Sequence, residues 1–492
     1  MTRGRRLAWA ALAGALGLLA LRPEGPAWLA WGALVPFFVA LRGARAAETF
    51  AVAITYALVL GVGGLTPWLS RAAAAYFEID RGRAVGYTLA FLVPTFAAHG
   101  LLLGTLLLAR PRRAGPTDVL WCAAAWASWD ALRTAVFPRF PGAVLALSQH
   151  SAVPVLQVAS VCGLAGVSFV LVAVNAGLAS LLPGVPGGRR ARALAATIGI
   201  AAGVAAGAWG TFRVAAGTID PSAPKVRVAA VDLNAARASA STLEGYVAAS
   251  AGAAAAGPAL IIWPESALTM DPEHDRSAFA ALTRFIEEYG TPLLAGGPGS
   301  VRSPAGLAHF NSAHLLRPAH GMRSYHKRGL VPFAERWPAI LGDPPRGVTD
   351  LDAGDDATVF DLGESAFGVL ICFEITDGAA ARALVRRGAR FLVNLTNDAW
   401  FAGSAAPHVP WAAVRAVETG LPVVRAANAG VSAVFDRFGR RVAVSRADGG
   451  PGVLTADIPD GVPTVYARAG DVFLAACLAA VLAGFARAFA RR

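Results

Sequence analysis

Apolar residues are distributed very unevenly along this chain of 492 residues. Residues 1–217 form an almost continuous series of apolar stretches, interrupted by short loops rich in arginine, proline or glycine. Residues 218–468 alternate polar and apolar positions as a soluble domain does, and 471–489 is apolar again. About 20 apolar residues suffice for a helix to cross a bilayer. The sequence therefore predicts a membrane bundle of about seven helices at 1–217, a soluble domain at 218–468, and a transmembrane helix with a short tail at 469–492.

Eight segments are candidate membrane spans. They are 7–21, 27–41, 50–69, 84–108, 118–132, 156–182, 194–209 and 471–489. The first two are short and the fifth contains Asp130, so the loss of one span would move the soluble domain to the other side of the membrane. The start, with three arginines before an apolar run, resembles a signal peptide, but the further spans favour a retained helix.

The arginines indicate how the spans are oriented. Eight crossings place both termini on one side, and all five basic clusters fall on that side. The clusters are at 3–6, 42–45, 110–113, 189–192 and 487–492. Because basic loops stay in the cytoplasm, both termini are expected there and the soluble domain in the periplasm of a bacterium.

The same arginines account for the formal net charge of +12. Since a membrane topology already requires them, no nucleic-acid partner is predicted. Only 15% of the residues are charged and the mean hydropathy is +0.51, whereas soluble proteins carry roughly 25% charged residues.

Cys372 is the one cysteine of the four that lies in the soluble domain. It ends an apolar run, Gly368–Cys372, and Glu374 follows shortly after. Extracytoplasmic domains normally pair their cysteines, so a single one is either a buried apolar filler or a reactive thiol. The residues around it must decide between these alternatives.

The soluble domain alternates strands with helices, which predicts an α/β fold of sheets covered by helices. Strands are expected at 226–233, 260–263, 292–296, 311–316, 367–372, 391–395, 423–426, 431–435 and 452–456, and helices at 241–256, 277–289, 378–387 and 411–419.

A thiol that attacks an ester or amide needs a base and a donor for the oxyanion. Glu265 ends an apolar strand, where burial would raise its pKa and suit it to alternate as base and acid. Lys327 supplies a compact positive charge that can stabilise the oxyanion and lower the thiol pKa. His326 and His408 offer the competing Cys–His arrangement.

Four short motifs then occur in order. They are Trp-Pro-Glu-Ser at 263–266, Tyr-His-Lys-Arg at 325–328 with Val-Pro-Phe-Ala-Glu at 331–335, Ile-Cys-Phe-Glu-Ile at 371–375, and Asn-Asp-Ala-Trp-Phe at 397–401. This set resembles the nitrilase (carbon–nitrogen hydrolase) superfamily. With the membrane frame and the segments 154–160 and 466–471, it is more narrowly similar to the apolipoprotein N-acyltransferase family.

The resemblance implies a multi-span helical bundle plus an αββα sandwich. It implies Glu265 as general base, Lys327 as oxyanion stabiliser and Cys372 as nucleophile. Other residues implied at the site are Glu335, Phe373 and Glu374 in support, and Trp337, Trp400 and Phe401 lining the substrate pocket, with 336–352 as a mobile arm.

The function implied is transfer of an acyl chain from a membrane phospholipid, through a cysteine thioester, to the amino group of an N-terminal diacylglyceryl-cysteine of apolipoproteins, without cofactor or metal. Two departures affect this expectation: Phe373 stands where the family usually has tyrosine, and 232–237 lacks the usual glutamine and tryptophan. The alternatives are a membrane-anchored amidase, a catalytically silent paralogue, and a transporter or binding subunit using Asp130 and Arg133.

Overall fold

The computed structural model describes residues 1–22, 25–111, 113–135, 141–217, 225–233, 242–303, 306–337, 342, 350–401, 408–445 and 452–490. The chain divides into two compact units. The first comprises Met1–Gly217 and Ala469–Arg492, and the second Thr218–Arg468.

The first unit is entirely helical in its regular structure. Its helices before the second unit are α1 Arg3–Ala20, α2 Val35–Ala40, α3 Ala46–Tyr76, α4 Arg81–Leu108, α5 Pro116–Ala135, α6 Val153–Leu156, α7 Ala159–Leu181 and α8 Arg189–Ala216. A C-terminal helix, Val472–Ala490, returns to the same unit. Within the described residues, α3, α4, α7 and α8 are long and apolar enough to span a membrane. The other four predicted spans stay predictions.

Two of the predicted spans are interrupted. The second is a 3-10 turn, Ala27–Trp31, followed by the short helix α2, and the sixth contains a kink at Gly163, where φ is +64°. Buried amides satisfy the broken backbone: Asn175 Oδ1 accepts from the Leu34 amide at 2.8 Å and its Nδ2 donates to the Ala30 carbonyl at 2.9 Å. Irregular backbone at membrane depth needs such partners because lipid provides none.

Asp130 and Arg133 form a buried ion pair at the end of α5, with Nη2 and Oδ1 3.1 Å apart. Ser168 Oγ donates to the other carboxylate oxygen at 2.8 Å, and Arg133 also donates to the carbonyls of Gly142 and Ala143 at 2.8 and 2.9 Å. Both charges are therefore satisfied within the bundle, and they fix the chain that follows α5.

The second unit contains two six-stranded sheets. One has the order β12-β1-β2-β3-β4-β5 and the other β11-β10-β9-β8-β7-β6. The strands are β1 Lys225–Asp232, β2 Leu260–Ile262, β3 Leu293–Ser303, β4 Gly306–Arg317, β5 Gly321–His326, β6 Val359–Asp361, β7 Ala366–Ile371, β8 Phe391–Asn397, β9 Val423–Asn428, β10 Ala433–Phe435, β11 Arg441–Val444 and β12 Gly452–Pro459.

One apolar core, which includes Val228 and Ile262 of the first sheet and Val369 and Val393 of the second, joins the two sheets. Helices α9 Leu243–Ala254 and α10 Arg276–Tyr289 cover the outer face of the first sheet, and α11 Gly378–Arg386 and α12 Val409–Thr419 pack on the second. The predicted αββα sandwich is confirmed. Parallel pairs β1–β2, β2–β3, β7–β8 and β8–β9 direct the carboxyl ends of their strands to common sheet edges.

The strands expected from the sequence do not include β6 or β11, give only the end of β5 next to Lys327, and make β3 and β4 too short. The two long strands continue as a hairpin whose outer residues, such as Arg302 and Leu307, are exposed, so they carry no buried apolar pattern. Strand β11 is likewise exposed at most positions, and β6 has only three residues. Hydrophobic periodicity detects strands by their burial, and these strands bury little.

Candidate active site

The three residues expected to do the chemistry follow three strand ends. Glu265 follows β2, Lys327 follows β5 and Cys372 follows β7. All three are buried, with exposed fractions of 4%, 0% and 8%. Lys327 Nζ lies 3.7 Å from Glu265 Oε1, and the charges of both residues act on the Cys372 thiol. The structure thus brings together residues that lie up to 107 positions apart in the sequence (265 to 372).

Cys372 begins a 3-10 turn, Cys372–Thr376, directly after β7. Its φ is +50°, a left-handed backbone conformation that residues other than glycine seldom adopt. Such a conformation persists only where its surroundings hold it, and it is frequent at functional sites.

Hydrogen bonds to the Glu374 carboxylate help to hold this backbone conformation in place. Its Oε2 accepts from the Ile371 amide at 2.8 Å, while Oε1 accepts from the Tyr325 hydroxyl and from the Arg328 and Gly329 amides at 2.8 to 3.0 Å. This buried carboxylate therefore ties the chain on both sides of Lys327 to the strand that ends at Cys372. Glu374 is 2% exposed, so it is a buried carboxylate and not a solvated one.

Glu335 contacts the lysine directly. Both of its oxygens lie 2.8 Å from Lys327 Nζ, and Oε2 also accepts from the Val331 amide at 2.8 Å. Lys327 is therefore held between two carboxylates, with the closer contact made by Glu335. We attribute the fixed position of the ammonium group to this pair.

Asn311, on β4, is a site residue that the sequence analysis did not identify. Its Nδ2 donates to Glu265 Oε1 at 2.7 Å and to Glu335 Oε1 at 2.8 Å, and its carbonyl accepts from the Lys327 amide at 2.8 Å. One amide group thus sets the spacing of both carboxylates around the lysine. Asn311 opens the predicted strand 311–316, but Ser312 and His314 in the same strand are also polar, so nothing local distinguishes it.

The Asn-Asp-Ala-Trp-Phe motif begins at the same place. The Asn397 amide donates to Glu265 Oε2 at 2.8 Å, so both carboxylate oxygens of Glu265 accept a hydrogen bond. Next in the motif, the buried Asp398 pairs with the fully buried Arg425, whose Nη1 also donates to Asn394 Oδ1 at 2.9 Å.

The expected lining residues are only partly within the described structure. Phe401 is buried and meets the His408 ring edge to face, with 5.2 Å between centroids. Trp337 meets the Phe333 ring edge to face at 5.8 Å. The Trp400 side chain, most of the arm 336–352 and residues 234–237 of the atypical loop lie outside the described residues.

Burial controls the protonation of the site. Burial raises the pKa of the Cys372 thiol, and the nearby Glu265 charge raises it further, although Lys327 acts in the opposite direction. The expectation that lysine would lower the thiol pKa therefore holds for its own contribution, but burial outweighs it. The pKa of Glu265 is also raised, first by burial.

Lys327 is charged in this site. Burial disfavours its charge, but the carboxylates of Glu335 and Glu265 outweigh burial and hold its pKa above the usual range. These shifts favour a neutral thiol beside a charged lysine in the resting site.

The two histidines of the competing arrangement have other contacts. His326 bonds through Nδ1 to Ser312 Oγ at 2.8 Å and stacks on Phe310. Burial lowers the pKa of His408 to about 3. These contacts favour Glu265 as the base. Among the described residues, no group of three or more His, Cys, Asp or Glu side chains is placed to hold a metal ion.

Comparison with known proteins covers both units. Residues 13–177 match the family model described as apolipoprotein N-acyltransferase N-terminal domain, and residues 227–465 match carbon-nitrogen hydrolase. The chain is 28% identical to the apolipoprotein N-acyltransferase of Geobacter metallireducens, covering 98% of this chain and 95% of that one.

Two further relatives bear the same name. The Bradyrhizobium diazoefficiens protein is 33% identical over 81% of this chain and 78% of its own. The Gloeobacter violaceus protein is 30% identical over 96% of this chain and 91% of its own. The similarity therefore extends through the membrane unit as well as the α/β unit, and the chain belongs to the apolipoprotein N-acyltransferase family.

Proposed function

We propose that this chain transfers an acyl chain from a membrane phospholipid to the N-terminal amino group of diacylglyceryl-cysteine on apolipoproteins, and that Cys372 carries the chain as a thioester. The observation that carries the proposal is the buried group of Glu265, Lys327 and Cys372, present in a chain whose relatives bear this activity in their name.

In the first half-reaction, Glu265 takes the proton of the Cys372 thiol while sulfur attacks the ester carbonyl carbon of the phospholipid. The ammonium group of Lys327 stabilises the oxyanion. When the intermediate collapses, the ester C–O bond breaks and the protonated Glu265 returns its proton to the departing lysophospholipid oxygen. The products are a thioester at Cys372 and a lysophospholipid with a free hydroxyl group.

In the second half-reaction, the amino group of the diacylglyceryl-cysteine attacks the thioester carbonyl carbon. Glu265 takes a proton from the nitrogen, the C–S bond breaks, and the sulfur of Cys372 regains the proton. The same carboxylate therefore acts as base and then acid in each half, which suits its raised pKa.

Three further residues position these groups. Glu335 and Asn311 hold the lysine and the base, and Glu374 holds the turn that starts at Cys372. Phe373, the next residue of that turn, is proposed as a fourth supporting residue. Phe373 has no hydroxyl group, so any role that tyrosine plays at this place in relatives is absent here. Trp337, Trp400 and Phe401 are proposed to line the acyl pocket; the burial of Phe401 supports its part.

We propose a bacterial inner-membrane location with both termini cytoplasmic and the domain 218–468 periplasmic. All five arginine clusters fall on the same side as the termini, which supports this topology. On this arrangement the bundle 1–217 and the helix within 469–492 anchor the domain at the surface of the bilayer that supplies the acyl donor.

A membrane-anchored amidase would use the same residues with water in place of the amine. Family membership favours acyl transfer over this alternative. The transporter alternative loses its main argument because Asp130 and Arg133 neutralise each other within the bundle.

The test is transfer in proteoliposomes that contain phospholipid and a diacylglyceryl-cysteine peptide. The wild-type protein should add one acyl chain to the peptide amine, and Cys372→Ala should add none. Cys162→Ala, a cysteine of the membrane unit, is the matched control and should retain wild-type activity. Transfer by Cys372→Ala, or release of free fatty acid without transfer by the wild type, would contradict the proposal.

A further inference from the structure

Two of the arginine clusters line one cleft of the membrane unit, and a third lies beside it. The cleft is partly open to solvent. Its wall includes Phe38, Arg42, Arg110, Asp118, Ser180 and Val185. Arg42 and Arg110 come from the clusters at 42–45 and 110–113.

The third cluster contributes Arg192. Ser180 Oγ, on the cleft wall, donates to the Arg192 carbonyl at 3.0 Å. A Cβ atom added at Gly187, next to the lining residue Pro186, would lie 3.6 Å from Arg192 Cγ. The Arg192 side chain therefore stands beside the cleft.

Arg42 is a fixed part of the wall. Its Nη2 donates to the Ala179 carbonyl at 2.9 Å and its Nη1 to the Pro183 carbonyl at 3.0 Å, so it closes the C-terminal end of α7. The guanidinium group is thus held in position before any ligand arrives.

Arg110 and Arg192 have nitrogen atoms without acceptors. Arg110 Nε lies 3.5 Å from Asp118 Oδ1, but its buried Nη1 has no hydrogen-bond partner among the described residues. Arg192 Nε is also buried and has no hydrogen-bond partner within the described ranges. Buried guanidinium donors are normally satisfied, so these two indicate a missing acceptor.

The charged and apolar residues of the cleft indicate which kind of acceptor would bind there. Two arginines and one carboxylate, Asp118, line the cleft, and Arg192 stands beside it, so the positive charges are in excess. Phe38, Val185 and the alanines of α7 provide an apolar side. Guanidinium groups match phosphate oxygens in geometry, and an apolar wall beside them suits an acyl chain.

We propose that this cleft binds the phosphate of an anionic membrane phospholipid, with Arg110 as its principal ligand. All of the cleft residues belong to the membrane unit, whereas Glu265, Lys327 and Cys372 belong to the other unit. The site is therefore additional to the acyl-donor site, and it does not depend on the proposed reaction.

Native mass spectrometry of the full-length protein, delipidated in detergent and titrated with phosphatidylglycerol, tests this proposal. The wild type should bind one phosphatidylglycerol in preference to phosphatidylethanolamine of the same chains. Arg110→Gln should weaken that binding at least about fivefold. Arg190→Gln, which removes the same charge from an exposed position of α8, is the matched control and should bind as the wild type does.

Asp118→Asn gives a change in the opposite direction. It removes the one carboxylate that competes for Arg110, so phosphatidylglycerol should bind more tightly, which a poorly folded variant would not do. Equal losses in Arg110→Gln and Arg190→Gln would overturn the proposal, as would no change in Asp118→Asn. Displacement of the lipid by millimolar inorganic phosphate would overturn the lipid as ligand and identify a site for soluble anions.

Discussion

At Cys372, burial and the proposed reaction favour opposite protonation states of the thiol. Burial keeps the thiol protonated and raises its pKa, yet the reaction needs a thiolate at the moment of attack. In the proposed reaction, Glu265 removes the proton only while sulfur attacks, so no free thiolate has to exist in the buried resting site. A protonated thiol also resists adventitious oxidation, which would matter at the proposed periplasmic location.

The pH dependence of the first half-reaction should report Glu265. Its pKa is raised, and a base must be ionised to accept the thiol proton. The rate should therefore fall as the pH decreases through a value above about 4.3, the ordinary pKa of glutamate. Asn311→Asp would add a third carboxyl group between Glu265 and Glu335, and should move this acid limb to higher pH by about one unit. Acylation rates measured across pH 4–8 check both points, and a shift to lower pH would contradict the account.

Variants of Tyr325 and Glu374 test whether Glu374 positions the turn at Cys372. Tyr325→Phe removes one of the four donors to the carboxylate and should cost about 1 kcal/mol of stability, with most activity kept. Glu374→Gln turns one acceptor into a donor facing backbone amides, and should cost about 2–4 kcal/mol. Activity should fall at least about tenfold because the turn at Cys372 loses its anchor. Thermal unfolding in detergent and acylation rates measure these effects; equal behaviour of the two variants would count against the positioning role.

Among the elements, β3 determines where Glu265 lies. A Cβ atom at Gly296 would lie 2.5 Å from the Pro264 carbonyl oxygen and 2.7 Å from Glu265 Cα. Gly296→Ala should therefore displace the base, reduce the acylation rate at least about tenfold and cost about 1–3 kcal/mol. Gly252→Ala, in α9 with open space around the new methyl group, is the control. It should keep full activity and gain about 0.5–1 kcal/mol from helix propensity. Full activity in Gly296→Ala would contradict this close approach.

The sequence predicted the elements that bury apolar side chains and the residues at their ends. Strands β2 and β7 are short and wholly apolar, so Glu265 and Cys372 were placed correctly at strand ends. Asn311 was missed because its role is a pair of side-chain hydrogen bonds to residues 24 and 46 positions away, which no local pattern encodes. The role of Glu374 likewise depends on the Arg328 and Gly329 amides, which only the packing of the two sheets brings close.

At the scale of the whole molecule, the membrane unit fits the substrates proposed for the α/β unit. Both substrates carry acyl chains, and each buried CH₂ group contributes about 0.8 kcal/mol, so long chains rarely leave the bilayer unaided. An enzyme anchored in the membrane meets both substrates without extracting either into water.

The topology is a prediction at this scale. A fluorescent protein fused to the C-terminus should be fluorescent, because it would remain in the cytoplasm, where green fluorescent proteins fold. Alkaline phosphatase fused within the α/β domain, after residue 303, should be active because that enzyme requires the oxidising periplasm. The reverse pattern would show that one predicted span does not cross the membrane.

The most direct measurement of the central claim is intact mass spectrometry of the purified protein after incubation with phospholipid. The account predicts a mass increase of one fatty acyl chain that hydroxylamine removes and that peptide mapping places on Cys372. Cys372→Ala should show no such increase, while Cys162→Ala should show it in full. An unmodified wild-type protein in the presence of intact phospholipid, or an acyl chain on another residue, would contradict the account.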